Sequence, residues 1–315
     1  MKKRVITILI ILLLTGGAVL CIVRWQAWFG TPEEPQWTGT TIDYTFPFFE
    51  KDKTPASLDI LVLGDIHNRL TRAEYDLLAE RVPQADAVAQ VGDWLDRGQD
   101  YYYQLLLREW ANSALFGTPV IPCPGNHEYN KGIPKTISPV WERAFPHPHN
   151  SPVGVPGETY YADYPSLRFI VIDTNPLDRL VYLTRTLTWL REAMNNAGDR
   201  YVVVMMHHPV LSPAKGRINP LIYAAFRHAL QDADLVLAGH DHSYMRHQSL
   251  VVLNTAGKAK AQQIPFPTDV TDSVPVYAVL SIQRSTNPHH PSPLTLNTYR
   301  LSDGQVIDIL YVKHD

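Results

Sequence analysis

Five short polar blocks contain the side chains of this sequence that are suited to chemistry. Each follows an apolar run; they are residues 64–67 (GDIH), 92–98 (GDWLDRG), 125–128 (GNHE), 207–209 (HHP) and 239–242 (GHDH). In the first block Asp65 and His67 are two residues apart, so they point to one side of an extended chain. His240 and His242 have the same spacing in the fifth block. A carboxylate and an imidazole that face the same way form half of a metal site.

Each block alone is a weak signal, because Gly-Asp and Gly-Asn pairs are common in ordinary turns. Together the blocks offer seven oxygen and nitrogen donors: Asp65, His67, Asp93, Asn126, His207, His240 and His242. One tetrahedral ion takes three or four ligands, so seven donors suffice for two ions that share one carboxylate. Two divalent ions beside two carboxylates keep a local charge of about +2, which attracts a phosphate ester. The blocks therefore predict a two-metal hydrolytic site.

The composition is that of a globular protein and excludes several classes of site. Of 315 residues, 45% are hydrophobic and 19% are charged. The chain has 13 histidines but only two cysteines, Cys21 and Cys123, which excludes a disulfide framework and an all-cysteine zinc site. The net charge of −3 gives no indication of a nucleic-acid partner. The sequence does not indicate an oligomeric state.

The apolar runs before the blocks are predicted to be buried strands of an α/β domain. Strands are predicted at 58–63, 85–91, 119–123, 160–164, 168–173, 201–206, 234–238, 251–255, 276–282, 295–301 and 306–312. Helices are predicted at 71–82, 100–112, 184–195 and 219–229, and the tail after them is all-β. In open α/β sheets ligands bind beyond the carboxyl ends of strands, which is where the five blocks fall.

The N-terminus is predicted to be a membrane anchor or a signal peptide. Lys2, Lys3 and Arg4 precede 19 uncharged residues at 5–23, which as a helix would span about 28 Å, close to the thickness of a bilayer. Positive charge before the run keeps the N-terminus inside and exports the chain beyond the run. The sequence divides into residues 1–24 as a signal anchor, 25–57 as a stalk and 58–315 as the domain. The alternative for 1–24 is a cleaved signal peptide, which gives a secreted or periplasmic protein.

The ordered set of blocks resembles the calcineurin-like metallophosphoesterase superfamily. Its pattern is D-x-H, G-D-x-x-[DY], G-N-H-[DE], a single H and G-H-x-H, and all five are present between about residues 58 and 246. Segments 160–174 and 239–244 are similar to the purple acid phosphatase and cyclic-nucleotide phosphodiesterase branches. The resemblance implies a four-layer sandwich of two mixed β-sheets flanked by helices. It also implies metal-assisted hydrolysis of phosphate esters.

The resemblance assigns the seven donors to two metal ions. The residues matching ligands of the first ion are Asp65, His67 and His242, and those matching ligands of the second are Asn126, His207 and His240. Asp93 matches the carboxylate that bridges both ions. In the family the ligand histidine of the fourth block directly follows its strand, which selects His207 over His208. The donor types leave the metals open among Mn, Fe, Zn, Ni and Mg.

Three further residues are given catalytic or substrate roles by the resemblance. His127 matches the family's general acid, which protonates the leaving alkoxide or steers the phosphate. Asp96 is expected to orient and charge His127 through a carboxylate–imidazole pair. Arg97 matches the arginine that grips phosphate in the protein Ser/Thr phosphatases. A purple iron site is not expected, because purple enzymes have tyrosine where this chain has Asp96.

The leading hypothesis is thus an exported, membrane-tethered binuclear phosphoesterase. It would hydrolyse phosphate mono- or diesters, either small molecules or lipid-linked, by attack of a metal-bridging hydroxide. One alternative is a non-catalytic surface module that binds metal or phosphate on the same scaffold. Another is a structural or adhesive surface protein, which only the stalk and the tether support.

Overall fold

Two mixed β-sheets lie at the centre of this protein, of which we describe a computed structural model. The structure describes residues 44–49, 57–130, 136–214, 220–260, 268–283 and 293–314. In these ranges the strands are β1 (Ser57–Leu63), β2 (Ala87–Val91), β3 (Val120–Cys123), β4 (Tyr160–Asp163), β5 (Leu167–Ile172), β6 (Tyr201–Met206), β7 (Leu235–Ala238), β8 (Tyr244–His247), β9 (Leu250–Val252), β10 (Val270–Asp272), β11 (Val276–Gln283), β12 (Leu294–Arg300) and β13 (Val306–Val312).

Each sheet combines parallel and antiparallel neighbours. The first sheet has the order β13-β12-β11-β1-β2-β3, in which β1, β2 and β3 are parallel and β11 runs antiparallel to β1. The second sheet has the order β10-β8-β9-β7-β6-β5-β4, in which β5, β6 and β7 are parallel. Parallel neighbours end at the same edge, so each sheet gathers several strand ends at one side.

Helices cover the outer face of each sheet. They are α1 (Arg72–Arg81), α2 (Asp100–Trp110), α3 (Pro139–Ala144), α4 (Leu180–Asn195) and α5 (Pro220–Ala229). The first three pack on the first sheet, and the last two pack on the second. Helix α1 begins with a capping box, in which Thr71 and Glu74 satisfy each other's backbone N–H groups.

The main core lies between the two sheets. Along β1 the side chains alternate: Ile60 and Val62 face the second sheet, whereas Leu61 and Leu63 face the helices. Strands that are buried on both faces need apolar residues at every position, which explains the continuous apolar runs in the sequence. The predicted α/β fold of two mixed sheets flanked by helices is therefore confirmed.

Residues 44–49, which fall in the predicted stalk, pack into the domain. Phe46 is fully buried and stacks on Phe145 with ring centroids 4.7 Å apart. Phe49 is also buried, in the core between the sheets. The backbone carbonyl of Pro47 accepts a hydrogen bond of 2.7 Å from Val120 N, which adds this segment to the edge strand β3. The hydrophobic core thus includes residues before position 58.

The remaining differences from the predicted elements are small. Helix α4 begins at Leu180 rather than at 184, and the short elements α3, β8 and β10 were not predicted. Within the described ranges no helix is both long enough and apolar enough to cross a bilayer. The predicted anchor at 1–24 and most of the stalk at 25–57 lie outside the described residues, so both stay predictions.

Candidate metal centre

The five polar blocks meet at one edge of the sandwich. Blocks 64–67, 92–98 and 125–128 follow β1, β2 and β3 of the first sheet, and blocks 207–209 and 239–242 follow β6 and β7 of the second. Backbone hydrogen bonds join the loops of the first sheet, with Asp65 N donating to Gly92 O at 3.1 Å and His67 N to Asp93 O at 2.9 Å. The carboxyl ends of strands from both sheets therefore form one site.

The backbone turns sharply where the donors leave their strands. Five of the seven predicted ligands have left-handed backbone, with φ of 51° at Asp65, 50° at His67, 56° at Asp93, 73° at His240 and 51° at His242. Residues with side chains seldom adopt this region, and each such residue costs about 1–3 kcal/mol. Strained backbone of this kind concentrates at functional sites.

Four of the donors form a buried half-site, which we call the first half. Ligand atoms of Asp65, His67, Asp93 and His242 all lie within 4.8 Å of one another. The two Nε2 atoms of His67 and His242 are 3.1 Å apart, and His242 Nε2 is 3.5 Å from Asp65 Oδ1. His67 Nε2 lies 3.6 Å from Asp93 Oδ2. These are the four residues that the family resemblance groups around the first ion.

The first half fits a cation. Among the described residues, neither carboxylate oxygen of the fully buried Asp65 has a hydrogen-bond partner. A buried polar group without a partner costs about 1–3 kcal/mol, so such atoms call for a ligand. Burial lowers the pKa of His67 to about 3, which keeps its ring neutral and able to offer a lone pair. Burial also raises the pKa of Asp65 well above its usual range.

The remaining donors form a second half around His207. His207 Nε2 lies 3.3 Å from Asn126 Oδ1, and the His207 and His240 ring centroids are 5.2 Å apart. His208 joins this half, because ligand atoms of His207, His208 and His240 lie within 4.8 Å of one another. Asn126, His208 and His240 are half-buried, whereas His207 is fully buried. The predicted donors of the second ion are thus also brought together.

Asp93 lies between the halves, as expected of a bridging carboxylate. Its Oδ2 is 3.6 Å from His67 Nε2 in the first half and 3.2 Å from His207 Nε2 in the second. Burial raises the pKa of Asp93, but the charge and hydrogen bond of His207 outweigh burial and lower it. Burial lowers the pKa of His207, and the Asp93 charge reverses this and raises it to about 9. The pair therefore attract each other.

His127 contacts the backbone of Asp96 and not its carboxylate, which was the expected partner. His127 Nδ1 donates to the backbone carbonyl of Asp96 at 2.6 Å. The Asp96 carboxylate instead lies 3.8 Å from His67 Nδ1. The backbone turn that ends block 92–98 presents the carbonyl to the ring. His127 Nε2 is 4.0 Å from Asp93 Oδ2, at the half-exposed rim of the site.

Arg97 lies beside helix α2. Its guanidinium carbon is 6.0 Å from the ring centroid of Tyr102, a cation–π contact. The role of Arg97 in gripping phosphate stays a prediction.

The buried carboxylate of Glu128 supports the site, although no role was predicted for it. Its Oε2 accepts backbone N–H bonds from Asp93 at 2.9 Å and Gly125 at 2.7 Å, and its Oε1 accepts from Leu95 at 2.9 Å. Burial, followed by the Asp93 charge, raises its pKa to about 7. Its position at the end of the third block was the available signal. Glu128 fastens the second block to the third.

Two histidine donors are oriented by backbone carbonyls. His207 Nδ1 bonds to Val91 O at 3.0 Å, and His242 Nδ1 bonds to Lys258 O at 2.8 Å. A carbonyl can only accept, so both Nδ1 atoms carry the ring proton and both Nε2 atoms present a lone pair when the rings are neutral. Metal-binding histidines commonly have such partners, which fix the ring and its tautomer.

Comparison with known proteins places the chain in a family. A model of the calcineurin-like phosphoesterase family matches residues 58–244, more than half of the chain and all five blocks. The chain belongs to the calcineurin-like phosphoesterase family.

Similar proteins include enzymes and one anchor protein. The chain is 24% identical over 189 residues to glycerophosphodiester phosphodiesterase GpdQ of Enterobacter lignolyticus (strain SCF1), covering 58% of this chain and 64% of that protein. It thus spans less than two thirds of that relative. Purple acid phosphatase PPD1 from yellow lupin (Lupinus luteus) seeds superposes with a TM-score of 0.65 at 16% identity, over 86% of this chain and 55% of that one.

A further solved structure is GAP50, the anchor in the inner membrane complex of Plasmodium. Its TM-score is 0.59 at 13% identity, over 82% of this chain and 89% of that one. At such identities the structural likeness shows the fold alone. Chemistry has to be argued from the site.

Proposed function

We propose that this protein is a metal-dependent phosphoesterase that hydrolyses phosphate mono- or diesters with two metal ions. The observation that carries the proposal is the buried donor cluster, in which Asp93 lies within 3.6 Å of imidazole nitrogens on both sides. Family membership and the unpartnered oxygens of Asp65 support it.

The donors divide between two ions that share one carboxylate. The first ion would be held by Asp65, His67, His242 and the shared Asp93, and the second by Asn126, His207, His240 and Asp93. When bound, two such ions neutralise phosphate charge and lower the pKa of a coordinated water towards neutrality. Nitrogen and oxygen donors of this kind suit Mn, Fe, Zn, Ni and Mg, so the metal identity is left to experiment.

His127 is the proposed general acid. Because its Nδ1 donates to the Asp96 carbonyl, Nε2 carries a proton only when the ring is an imidazolium. That Nε2 faces the centre of the site beside Asp93 Oδ2. In the proposed reaction His127 donates this proton to the leaving alkoxide and is left neutral. Asp96 contributes orientation through its carbonyl, and its carboxylate adds negative charge near His67 and His127.

A phosphodiester is the first substrate class to test. The relative GpdQ is named a glycerophosphodiester phosphodiesterase, although this chain spans only part of its length. The uncharged run at 5–23 supports a membrane tether with the catalytic domain on the extracytoplasmic side, which would place the site near lipid-linked phosphate esters. Small soluble phosphate esters are the second substrate class that we propose.

The test is a metal-by-substrate screen on the purified chain. Protein loaded with Mn²⁺, Zn²⁺ or Fe²⁺ is assayed with p-nitrophenyl phosphate, its bis-ester and a glycerophosphodiester. We expect hydrolysis of at least one ester, and a loss of about 10³-fold or more in Asp93→Ala, since the bridging charge is removed. Asp86→Ala is the matched control, because its carboxylate bonds Asp59 N at the opposite ends of β1 and β2.

The same screen separates the alternative function. A non-catalytic metal- or phosphate-binding module on this scaffold would bind ions and hydrolyse none of the esters. A structural surface protein would bind no metal at all. His127 at the rim of the seven donors favours the enzyme, because a module that only binds ions or phosphate needs no general acid.

A further inference from the structure

The floor and the rim of the donor cluster differ in exposure. The buried floor consists of Asp65, His67, Asp93, His207 and His242, and the half-buried rim consists of Asp96, Asn126, His127, His208 and His240. The rim is therefore the side of the cluster that is open to solvent. Of the two rim histidines that are not predicted ligands, His127 lies beside the first half and His208 beside the second. The proposed function gives His208 no role.

The ring of His208 is oriented towards the second half of the site. Its centroid is 4.4 Å from that of His240 and 5.0 Å from that of His207. Its Nδ1 is 2.6 Å from the hydroxyl oxygen of Thr174, a side chain that is almost completely buried. Thr174 thus engages Nδ1, and Nε2 is the other nitrogen of the ring.

The Thr174 hydroxyl is placed to donate its proton to Nδ1 of His208, 2.6 Å away. Its oxygen also receives the backbone N–H of His208, at 3.4 Å, and a hydroxyl that accepts one bond keeps its own proton for another. Donation to Nδ1 places the proton of a neutral ring on Nε2. Nε2 then presents an N–H group rather than a lone pair, which suits an anionic oxygen and not a metal ion. The proposed second ion would already have Asn126, His207 and His240 beside Asp93.

The turn that carries Thr174 is held in place from several sides. The buried Asp173 carboxylate accepts hydrogen bonds from the Tyr129 hydroxyl, from Glu158 N at 3.0 Å and from Asn175 N at 3.0 Å. Asn175 Nδ2 also donates to Gly125 O at 3.3 Å, in the loop that carries Asn126 and His127. The turn 173–175, which follows β5, therefore fixes Thr174 relative to the third block.

We propose that His208 binds the substrate by donating a hydrogen bond from Nε2 to a non-bridging phosphate oxygen, and that Thr174 is its positioning residue. The proposal rests on the proposed function, because it assumes a phosphate group between the two halves. His127 and His208 then contact the substrate from different halves of the site, one as an acid and one as a binding group. A hydrogen bond to a charged group is worth about 10- to 100-fold in affinity.

The test uses the full chain loaded with Mn²⁺ and inorganic phosphate as the probe. Metal content is measured by elemental analysis, and phosphate affinity by calorimetry. For His208→Ala we expect unchanged metal content and phosphate affinity weaker by about 10- to 100-fold. Thr174→Val should weaken phosphate binding by about 3- to 10-fold, since the ring loses its orientation, and Thr174→Ser should restore most of that loss. His228→Ala, on exposed helix surface, is the matched histidine control.

Three results would overturn the proposal. Loss of one ion in His208→Ala would make His208 a metal ligand. Unchanged phosphate affinity in His208→Ala would remove its binding role. Equal losses in Thr174→Val and Thr174→Ser would show that the hydroxyl does not act. If wild-type protein hydrolyses no ester but its phosphate affinity still depends on His208, the contact is supported and the proposed catalytic function fails.

Discussion

Glu128→Gln tests whether one buried carboxylate aims the proposed bridging residue. The Glu128 carboxylate accepts three backbone N–H groups, two at Oε2 from Asp93 and Gly125 and one at Oε1 from Leu95. Glutamine has the same shape but only one acceptor oxygen. In its better orientation that oxygen keeps the two N–H groups at the Oε2 position. The amide NH₂ then meets the Leu95 N–H, donor against donor.

These contacts determine how much free energy of unfolding the variant should lose. Loss of one hydrogen bond to a charged acceptor costs about 1.5–3 kcal/mol, and the two that remain weaken because the acceptor is no longer charged. Part of this is offset, because Gln removes a buried charge whose cost is seen in the Glu128 pKa, which burial and Asp93 raise to about 7. We expect a net loss of about 2 kcal/mol in the free energy of unfolding. Within a stability of about 5–15 kcal/mol the variant still folds.

The decisive measurement is metal affinity. Groups that hold metal ligands in place are worth about 10- to 100-fold in affinity, so Mn²⁺ binding by calorimetry should weaken by that factor. Stability is measured by urea unfolding in the presence of a chelator. The control is Asp86→Asn. The Asp86 carboxylate accepts a hydrogen bond from Asp59 N at the opposite ends of β1 and β2, so this variant should keep its metal affinity. Unchanged Mn²⁺ affinity in a destabilised Glu128→Gln protein would refute the idea that Glu128 aims Asp93.

Three further outcomes are expected from the packing. Burial lowers the pKa of His147, but its 2.6 Å contact with Glu158 outweighs burial and raises the pKa. The pair therefore stabilises the fold fully below about pH 6.5, and this contribution is lost as the pH rises through the pKa of the folded protein. His147→Gln should therefore destabilise the protein more at pH 6 than at pH 9 in urea unfolding, and a pH-independent loss would contradict this. Phe46→Ala should lower the free energy of unfolding by about 3–5 kcal/mol, and Phe116→Ala, at a half-exposed residue, should lower it far less. Equal losses in the two variants would show that residues 44–49 are not part of the core. Trp94→Phe, which loses a buried indole hydrogen bond, should cost about 1–2 kcal/mol in unfolding with unchanged metal content, and loss of metal would place Trp94 in the site.

The positions of most strands along the chain, and the polar residues that follow them, were predictable from sequence. A strand buried on both faces needs an uninterrupted apolar run, and the run must stop where the chain leaves the core. Strands β6 and β13 were predicted with their observed limits for this reason. The short strands β8 (YMRH) and β10 (VTD) were missed, because polar and charged residues interrupt them and no apolar run marks them.

Burial could not be predicted from neighbouring residues where the covering side chains come from distant parts of the sequence. His147 lies between two prolines, a setting typical of exposed loops, yet its side chain is mostly buried against Glu158 and Tyr160. The aromatic residues of 44–49 were expected in a stalk, yet Phe46 fills the space between Trp94, Trp110 and Phe145. In both cases the covering residues lie far away in the sequence.

By itself the sequence determined the chemical types of the donors: two carboxylates, one amide and four imidazoles, each placed where a buried run ends. Only the tertiary structure decided how those ends meet and which atoms face the centre. His207 is oriented by the carbonyl of Val91, 116 residues earlier and in the other sheet, and His127 by the carbonyl of Asp96 rather than by its carboxylate. Such contacts depend on the stacking of two sheets and on left-handed turns at the strand ends, and no local pattern encodes the distance between two sheets.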